Sequence, residues 1–329
     1  MKNKITKLDE KINNLMNSKK YHIFHHNDMD GHSSGALIGI GLNELGVIRE
    51  NIYFYEIDYG MPFDDSNIDY NNDTVYLVDF FIQPDQKMWE LKNKLENRFI
   101  WIDHHRTSLK FIKEGFPLKG IIEDGPKAAC ELVWEWFWPK REKPAALKMI
   151  SQYDVWNKEG DFSWVDCLYL KYGLETLDTL PKNALDFWSS LMFCSKKIKE
   201  EKLNALLEKG KLLKDFNDKK EKANTEQNAY EGIFDGKNAI ILNSPQKGSN
   251  QFEVAYDTSK YDIMVTYRNT QGKYWKIGLY STNPDINCGD IARRIGHEGP
   301  LKSGGGHPGA AGFQTDTAHM MKIMPGFEN

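Results

Sequence analysis

The chain has 329 residues, which suggests two domains, and its hydrophobic content of 40% with 12% aromatic residues is enough to form real cores. The formal net charge of −4 argues against a broadly basic nucleic-acid-binding protein of the histone type. The four cysteines are far apart and form no CxxC pair, so we expect reduced thiols rather than disulfides or a zinc site.

The sequence predicts neither a membrane span nor a signal peptide. No apolar segment approaches the ~20 residues that a helix needs to cross a bilayer, and the N-terminus lacks the apolar core of a signal peptide. We therefore expect a cytoplasmic protein without a membrane partner. Residues 1–20 place apolar side chains at helical spacing, which predicts an amphipathic helix that packs on the first domain or contacts a second copy of the chain.

An imidazole and two carboxylates follow the first predicted strand. The strand is an apolar run over residues 21–24, typical of a buried strand in a parallel sheet. The sequence HHNDMDG comes next and ends in Gly31, which allows a tight turn before a small-residue helix over residues 35–45. Open α/β sheets bind ligands at the carboxyl ends of their strands, where we expect these side chains to lie: His26, Asp28 and Asp30.

Two further apolar runs end in acidic or imidazole side chains. Residues 74–78 (TVYLV) precede Asp79, and residues 99–102 (FIWI) precede the sequence DHH at 103–105. Since parallel strand ends converge on one edge, these groups should join the first motif in a cluster. Several carboxylates in one cluster cannot all ionise without a cation. Mixed carboxylate and imidazole ligands without thiolates suit manganese, iron(II) or zinc, and we predict two divalent ions, with Mn²⁺ favoured, about 3.5–4 Å apart.

Other polar and aromatic residues are expected to be structural. The loop acids Asp58 and Asp73 are interpreted as solvated, and His25 as structural because it would point away from His26 along an extended segment. The aromatic-rich helix over residues 128–138 is expected to bury most of its rings, because aromatic residues at so many neighbouring positions must point around the helix.

The second half of the chain carries a predicted substrate-binding region. A long charged helix over residues 196–222 is followed by three strand-like runs and by a helix over residues 288–296. The sequence GGGHPGAAGF then begins at Gly304. Consecutive glycines let backbone N–H groups approach a phosphate, because no Cβ stands in the way. The predicted substrate-binding residues are Arg293, Gly304, Gly305, Gly306 and His307.

Together these motifs resemble the DHH phosphoesterase superfamily, and the glycine-rich segment looks like its DHH-associated C-terminal domain. The resemblance covers nearly the whole chain and implies an α/β fold with the active-site cleft between two domains. The implied organisation is a doubly wound parallel-sheet DHH domain over residues 1–195, a connecting helix over 196–232, and a smaller α/β substrate-binding domain over 233–329.

The resemblance also implies a complete metal shell. An aspartate that matches Asp154 completes this shell in the family, so the metal ligands would be His26, Asp28, Asp30, Asp79, His104 and Asp154. We assign Asp28 to the ion held by His104 and Asp154, and Asp30 to the ion held by His26, with Asp79 bridging. The sequence leaves this division of Asp28 and Asp30 open.

Three residues of the DHH segment are predicted to be catalytic: Asp103, His104 and His105. His105 would stabilise charge on the phosphoryl group, and Asp103 would orient one of the imidazoles. The expected reaction is metal-assisted hydrolysis of a phosphate ester.

Similarity to compact members of the oligoribonuclease or nano-RNase type points to degradation of short oligonucleotides, chiefly oligoribonucleotides, to nucleoside monophosphates. The expected partner is thus short single-stranded RNA or DNA or a small nucleotide, with a homodimer as one assembly state. The alternatives are a cyclic- or linear-dinucleotide phosphodiesterase, a 3′-phosphoadenosine-5′-phosphate phosphatase and a pyrophosphatase. A nucleotide-binding protein without turnover is the non-enzymatic alternative, but it would not need a complete metal shell.

Overall fold

The computed structural model describes residues 19–58, 61–245 and 248–326. The predicted N-terminal helix lies outside the described residues except for its last two positions. The chain divides into two compact units, the first ending at Lys214 and the second beginning at Asp215. This division falls inside the predicted connecting helix, which runs from Lys196 to Asn228, beyond the charged run at 196–222 but short of the predicted bound at 232. In the part of the chain that the structure describes, no helix has the length and apolar character needed to cross a bilayer.

The first unit contains a five-stranded parallel sheet with the order β2-β1-β3-β4-β5. Every residue of β3 and β4 is buried, as expected for strands covered on both faces. One apolar cluster lies on each face of the sheet. The predicted doubly wound parallel sheet is therefore confirmed. The strands are β1 (Tyr21–His26), β2 (Ile52–Ile57), β3 (Thr74–Val78), β4 (Phe99–Asp103) and β5 (Gly120–Ile122).

Helices cover both faces of this sheet. The helices are α1 (Met29–Glu44), α2 (Gln86–Leu95), α3 (Leu109–Lys113), α4 (Ala129–Phe137), α5 (Ala145–Asp154), α6 (Trp164–Leu174), α7 (Pro181–Met192) and α8 (Lys196–Asn228). Three of them, α3, α6 and α7, were not predicted. Helix α3 has only five residues and the apolar residues of α6 are spread around the helix, whereas α7 was missed although its buried residues recur at helical spacing.

The passage from β1 to α1 is shorter than predicted. Asp28 caps α1, because its Oδ1 accepts a hydrogen bond from the Gly31 N–H at 2.9 Å, so the helix begins at Met29 rather than at Gly35. Gly31 consequently lies inside the helix and not in a turn. A Cβ at this position would come within 2.3 Å of the His26 carbonyl oxygen. Glycine here lets the helix begin directly against the end of the strand.

The aromatic-rich helix α4 contributes to the core as expected. Trp134 is 1% exposed and its ring stacks on that of Phe193, with centroids 5.0 Å apart. The indole N–H of Trp138 donates to Glu44 at 2.6 Å, so this ring is held by a hydrogen bond as well as by packing.

The second unit is a smaller α/β domain, as predicted. Its mixed six-stranded sheet has the order β10-β11-β9-β8-β7-β6, and its main apolar cluster joins the sheet to α9 and α10. The elements are β6 (Tyr230–Phe234), β7 (Lys237–Asn243), β8 (Ile263–Thr270), β9 (Tyr274–Tyr280), α9 (Cys288–Glu298), β10 (Gly305–His307), β11 (Ala310–Thr315) and α10 (Thr317–Ile323).

The glycine-rich segment forms a hairpin rather than a loop. β10 and β11 pair in antiparallel fashion, and β10 lies directly on α9. A Cβ on Gly296 would come within 1.8 Å of the Ser303 carbonyl oxygen, and one on Gly304 within 2.2 Å of the Ala292 carbonyl oxygen. The close contact between helix and hairpin therefore accounts for two of the glycines without any ligand.

Candidate metal centre

All six predicted metal ligands lie near the carboxyl edge of the parallel sheet or on helices that start or end there. His26 is the last residue of β1, and Asp79 directly follows β3. Asp28 and Asp30 stand at the start of α1, His104 follows β4, and Asp154 is the last residue of α5. The six donors form two sets that could each hold a metal ion, His26 with Asp28 and Asp79, and Asp30 with His104 and Asp154. A third set, Asp79 with His104 and His105, shares one member with each of them.

Asp79 connects the two sets. Its Oδ2 lies 3.7 Å from His26 Nδ1, while its Oδ1 lies 3.3 Å from His104 Nε2. Within the first set, His26 Nδ1 and Asp28 Oδ2 are 2.6 Å apart. Within the second, His104 Nε2 lies 3.1 Å from Asp154 Oδ2 and 3.8 Å from Asp30 Oδ2. Each oxygen of the Asp79 carboxylate thus faces a different set.

This grouping differs from the sequence-based division, in which Asp28 and Asp30 were exchanged. The reason is a long-range contact of Asp30. Its two carboxylate oxygens accept hydrogen bonds from the backbone N–H groups of Ala129 and Cys130, each at 2.8 Å. These groups form the amino end of α4, which favours a negative charge. Asp30 is therefore held on the His104 side, whereas Asp28 caps α1 beside His26.

Asp103 belongs to neither set. It is fully buried, and its Oδ1 accepts the backbone N–H of His104 at 2.8 Å and lies 2.7 Å from His105 Nδ1. Its other oxygen accepts the Ser108 hydroxyl. Asp103 therefore fixes the turn after β4 and the ring of His105; its orienting role in catalysis stays a prediction. His105 Nδ1 also lies 3.8 Å from Asp79 Oδ1, so His105 borders the second set.

The electrostatics of the cluster are those of carboxylates crowded together out of water. Burial, followed by the charges of Asp30 and Asp28, raises the pKa of Asp79 well above its usual value. Burial and the charge of Asp154 raise the pKa of Asp30 to about 6. Asp28 is the exception, because although burial opposes it, the hydrogen bond with His26 lowers its pKa.

The histidines are shifted in the opposite sense. Burial alone would lower the pKa of His26, but its contacts with Asp28 and Asp58 raise this pKa to about 11. Burial is likewise outweighed at His104, where Asp154 and Asp79 raise the pKa to about 12. Without a metal ion, protons on these rings partly neutralise the carboxylates.

The residues fit a divalent metal pair. Asp79 Oδ2 and His104 Nε2 are buried and lack a hydrogen-bond partner, which costs free energy unless a ligand takes that place. Asp79 also has a φ of 56°, in the left-handed region that is unfavourable for a residue with a side chain. The donors are oxygen and nitrogen without thiolate, a set that suits manganese, iron(II) or zinc.

Comparison with known proteins agrees with this geometry. Residues 20–158 match the family described as DHH family, N-terminal domain. These residues form a DHH-family domain. The resemblance stated from the motifs is thereby confirmed, and because members of the DHH family are metal-dependent phosphoesterases, the coarse class of the reaction follows. A comparison with curated proteins gives no significant match.

Solved structures share the fold at low sequence identity. A DHH-domain protein described as a member of a family of ribosomal proteins is 12% identical, with a TM-score of 0.59 over 95% of this chain and 87% of that one. An exonuclease RecJ bound to manganese is 17% identical, with a TM-score of 0.50 over 94% and 88%. RecJ from Thermus thermophilus in complex with Mn²⁺ is also 17% identical, with a TM-score of 0.51 over 94% of this chain and 51% of that one.

One residue near the centre was misread from the sequence. Asp58 was expected to be a solvated loop acid, but its Oδ1 lies 3.7 Å from His26 Nε2. It therefore contacts the ring on the side away from Asp28 and Asp79, which lie near Nδ1. A signal was available, because Asp58 directly follows β2 and Ile57 pairs with His26. The rule that found Asp79 at the end of β3 would have found Asp58 as well.

Asp73 was misread for a different reason. It is 2% exposed, and its Oδ2 lies 2.9 Å from Nε2 of the buried His22. Asp73 precedes β3 and so stands at the amino edge of the sheet, opposite the metal donors. This pair joins strands and is structural.

The predicted substrate-binding residues lie in the second unit. Gly305 and His307 are at the surface end of the hairpin, and a Cβ on Gly305 would meet no atom within 4 Å. Arg293 lies on the exposed side of α9, where its Nη1 donates to Asp290 Oδ1 at 2.9 Å. Of the three glycines, Gly305 is thus the one at which a side chain would meet open space.

Proposed function

We propose that the protein is a metal-dependent phosphodiesterase that hydrolyses short oligonucleotides, chiefly oligoribonucleotides, to nucleoside monophosphates. The observation that carries the proposal is the buried Asp79 carboxylate, whose two oxygens face two separate sets of donors. Two cations bound side by side are the arrangement that enzymes use to hydrolyse phosphate esters.

The two ions, with Mn²⁺ favoured, would be held by the sets that the geometry defines. His26, Asp28 and Asp79 would hold one, and Asp30, Asp79, His104 and Asp154 the other. When bound, such a pair lowers the pKa of a water molecule and neutralises charge on the phosphoryl oxygens. The hydrogen bonds from α4 would keep Asp30 ionised and in place for this task.

His105 would act on the phosphoryl group. Burial opposes protonation of its ring, but the charge of Asp103 raises the pKa of His105 above its ordinary value. The 2.7 Å contact with Asp103 occupies Nδ1, so Nε2 is the atom that would donate a hydrogen bond to a phosphoryl oxygen. Asp103 would thus be a positioning residue that fixes the tautomer and orientation of the catalytic histidine.

In the second unit, the substrate contacts would come from the exposed part of the glycine hairpin. Gly305 offers a backbone N–H with no side chain in front of it, and His307 an exposed imidazole. Arg293 would attract a phosphate once its carboxylate partner Asp290 is displaced or shared. Gly304 and Gly306 would support this hairpin through close packing.

The proposal is tested with purified protein, Mn²⁺ and end-labelled RNAs of two, five and twenty-four nucleotides. We expect mononucleotides to appear fastest from the short RNAs. Asp79→Asn should abolish the release, whereas Asp64→Asn, which changes an exposed loop carboxylate, is the matched control and should not. The surviving label reports the end from which cleavage starts.

Parallel reactions distinguish the alternatives. A cyclic dinucleotide, a linear dinucleotide and 3′-phosphoadenosine-5′-phosphate are offered under the same conditions. Turnover of one of these with no cleavage of the five-nucleotide RNA would replace the oligonuclease proposal by that activity. Binding without turnover of any substrate would overturn the enzymatic proposal. The cytoplasmic location and the homodimer remain predictions of the sequence.

A further inference from the structure

An aromatic group lies next to the metal centre on the residues that follow Asp154. Trp156 and Trp164 meet edge to face with ring centroids 5.0 Å apart, and Tyr153 stacks on Trp164 at 5.6 Å. Lys158 Nζ lies 5.3 Å from the centroid of Trp156 and 5.8 Å from that of Trp164. We call Tyr153, Trp156, Lys158 and Trp164 the aromatic platform.

Trp156 is the exposed member of the platform. It is 51% exposed, although a tryptophan ring is among the most costly surfaces to leave in water. The other large rings near the end of α5 are at least half-buried in the described structure. The fold therefore does not use the outer face of Trp156 for packing.

The backbone at Trp156 is also unfavourable for tryptophan. The Trp156 N–H donates to the Tyr153 carbonyl at 3.1 Å, and the Asn157 N–H to the Gln152 carbonyl at 3.0 Å. This pair of bonds is the Schellman motif that ends many helices, and it places Trp156 at the position usually filled by glycine. Its φ is 56°, in the left-handed region. A residue with a large side chain is held here against its conformational preference, which is a feature of functional sites.

The platform is close to the metal ligand Asp154 along the chain. Asp154, whose Oδ2 lies 3.1 Å from His104 Nε2, is two residues before Trp156. Two residues span at most about 7 Å of backbone. A phosphodiester held at the metal donors thus has an exposed indole face within reach.

We propose that Trp156 is a nucleobase-stacking residue, and that the aromatic platform holds the base of the nucleotide next to the phosphodiester at the metal centre. This inference rests on the proposed function and names the part of the substrate that is recognised in the first unit. Bases stack on aromatic side chains irrespective of their identity, which suits degradation of short strands of mixed sequence. The Lys158 ammonium, which lies over the Trp156 ring and must move aside when a base stacks on that face, complements the phosphate that accompanies each base.

The test compares a dinucleotide that carries both bases with one in which a base is replaced by an abasic residue. The measured quantity is the ratio of kcat/KM for the two substrates. Base stacking of this kind corresponds to between about 5- and 150-fold in binding. In Trp156→Gly we expect the ratio to fall by this factor, and in Trp156→Phe, which keeps an aromatic face, to be largely retained.

Two further measurements exclude a structural explanation. The melting temperature of Trp156→Gly should not fall, because glycine is the preferred residue at this helix end. The control Tyr53→Leu removes another exposed ring that lies under a lysine, with Lys20 Nζ 5.6 Å from the ring centroid. Tyr53 lies at the amino edge of the sheet, away from the metal centre, so this variant should leave the ratio unchanged.

An unchanged ratio in Trp156→Gly would overturn the stacking role, even if the protein hydrolyses both dinucleotides. If the wild-type protein hydrolyses neither, the proposed function fails instead. Fluorescence quenching of a dinucleotide that contains 2-aminopurine then tests the stacking role separately from hydrolysis. Equal quenching by the wild type and by Trp156→Gly would refute the stacking role, and quenching lost only in Trp156→Gly would support it.

Discussion

The two units of the chain use their sequence motifs in opposite ways. In the DHH domain, Asp79 Oδ2 and His104 Nε2 are buried and make no hydrogen bond of good geometry, although other donors of the metal centre lie near them. In the second unit, Gly304 of the motif and Gly296 of α9 pack closely against protein backbone, since a Cβ on either would clash with a carbonyl oxygen. Folding leaves buried polar atoms of the first motif without hydrogen bonds. In the second unit, packing within the protein accounts for most of the glycines.

This difference shows which motif residues carry evidence of a ligand. Burying a charged or polar group without a partner costs free energy, so its presence calls for a ligand that the chain itself does not supply. A glycine in close contact with a helix needs no such explanation. Within the second motif, Gly305 and His307 are therefore the remaining candidates for substrate binding.

The largest effect is expected from Asp79→Asn. Loss of groups that only orient a metal ligand already costs 10- to 100-fold, so loss of the carboxylate between both sets should lower activity by more than about 100-fold. The same change removes a carboxylate whose pKa is raised by burial and by Asp30 and Asp28. A raised carboxyl pKa destabilises the fold at pH values above the unfolded pKa, so the metal-free variant should melt a few degrees higher than the wild type.

Activity assays and calorimetry of the metal-free protein check this prediction. Asp64→Asn again provides the exposed control and should change neither quantity. A lower melting temperature in Asp79→Asn would mean that the carboxylate stabilises the fold by itself, and the contrast between the two units would then disappear.

Metal binding should be strongly pH-dependent in the DHH domain. The metal-free protein keeps protons on His26 and His104, because nearby carboxylates outweigh burial and raise these pKa values to about 11 and about 12. A metal ion needs the neutral imidazoles, so binding must release protons. Mn²⁺ affinity should therefore increase as the pH rises from 6 to 8, by about 10- to 100-fold per pH unit for one or two protons released.

Titration calorimetry in buffers of different ionisation enthalpy measures the protons released. Asp79→Asn provides a comparison, since it removes a carboxylate that helps to hold the proton on His104. Affinity that does not change with pH would show that the histidines are already neutral before the metal binds.

Packing of the glycine hairpin against α9 can be tested from the helix side. Gly296→Ala in α9 places a Cβ 1.8 Å from the Ser303 carbonyl oxygen, and overpacking of this kind costs about 1–3 kcal/mol. Gly309→Ala is the matched change in the hairpin, where the nearest atom lies at 3.4 Å and the backbone has no positive φ, so it should be nearly neutral.

Amide hydrogen exchange measures the loss of stability in each unit separately. The loss in Gly296→Ala should be confined to residues after Lys214. Equal stability of Gly296→Ala and Gly309→Ala would mean that Gly296 is not required for the packing of α9 against the hairpin. The packing explanation for Gly304, which faces the same helix, would then lose its support.

Much of the DHH domain could be predicted because strands buried on both faces leave a clear apolar pattern. The bounds of β3 agree with the prediction, and the donors at the strand ends come together as expected. Helix α6 escaped prediction because its apolar residues form no regular stripe, whereas α7 has buried residues at helical spacing and was missed despite that signal. The hairpin of β10 and β11 escaped because three glycines favour no particular element by themselves.

The division of donors between the two sets could not be read from the sequence for a physical reason. Asp28 and Asp30 are two residues apart, and what separates them is the contact of Asp30 with the N–H groups of Ala129 and Cys130, about a hundred residues away. Only the packing of α4 against α1 brings these groups together. Asp58 was missed because β2 is half exposed and its apolar pattern is weak.

The smallest effect is expected from Asp58→Asn, which separates orienting contacts from metal-binding ones. Asp58 Oδ1 lies 3.7 Å from His26 Nε2, while His26 Nδ1 faces Asp28 and Asp79, so the residue contacts the ring on the side away from the other carboxylates. Removal of such an orienting carboxylate costs 10- to 100-fold in affinity or activity in comparable sites. Because the contact is long and the Asp58 side chain is 30% exposed, we expect a loss of about tenfold in Mn²⁺ affinity.

Activity measured at limiting Mn²⁺ should fall with this affinity and should recover at saturating Mn²⁺, since all six proposed metal ligands are intact. Activity that stays low at saturating Mn²⁺ would instead place Asp58 in contact with the substrate, and the unit that holds the metals would then also read part of the nucleotide through a carboxylate.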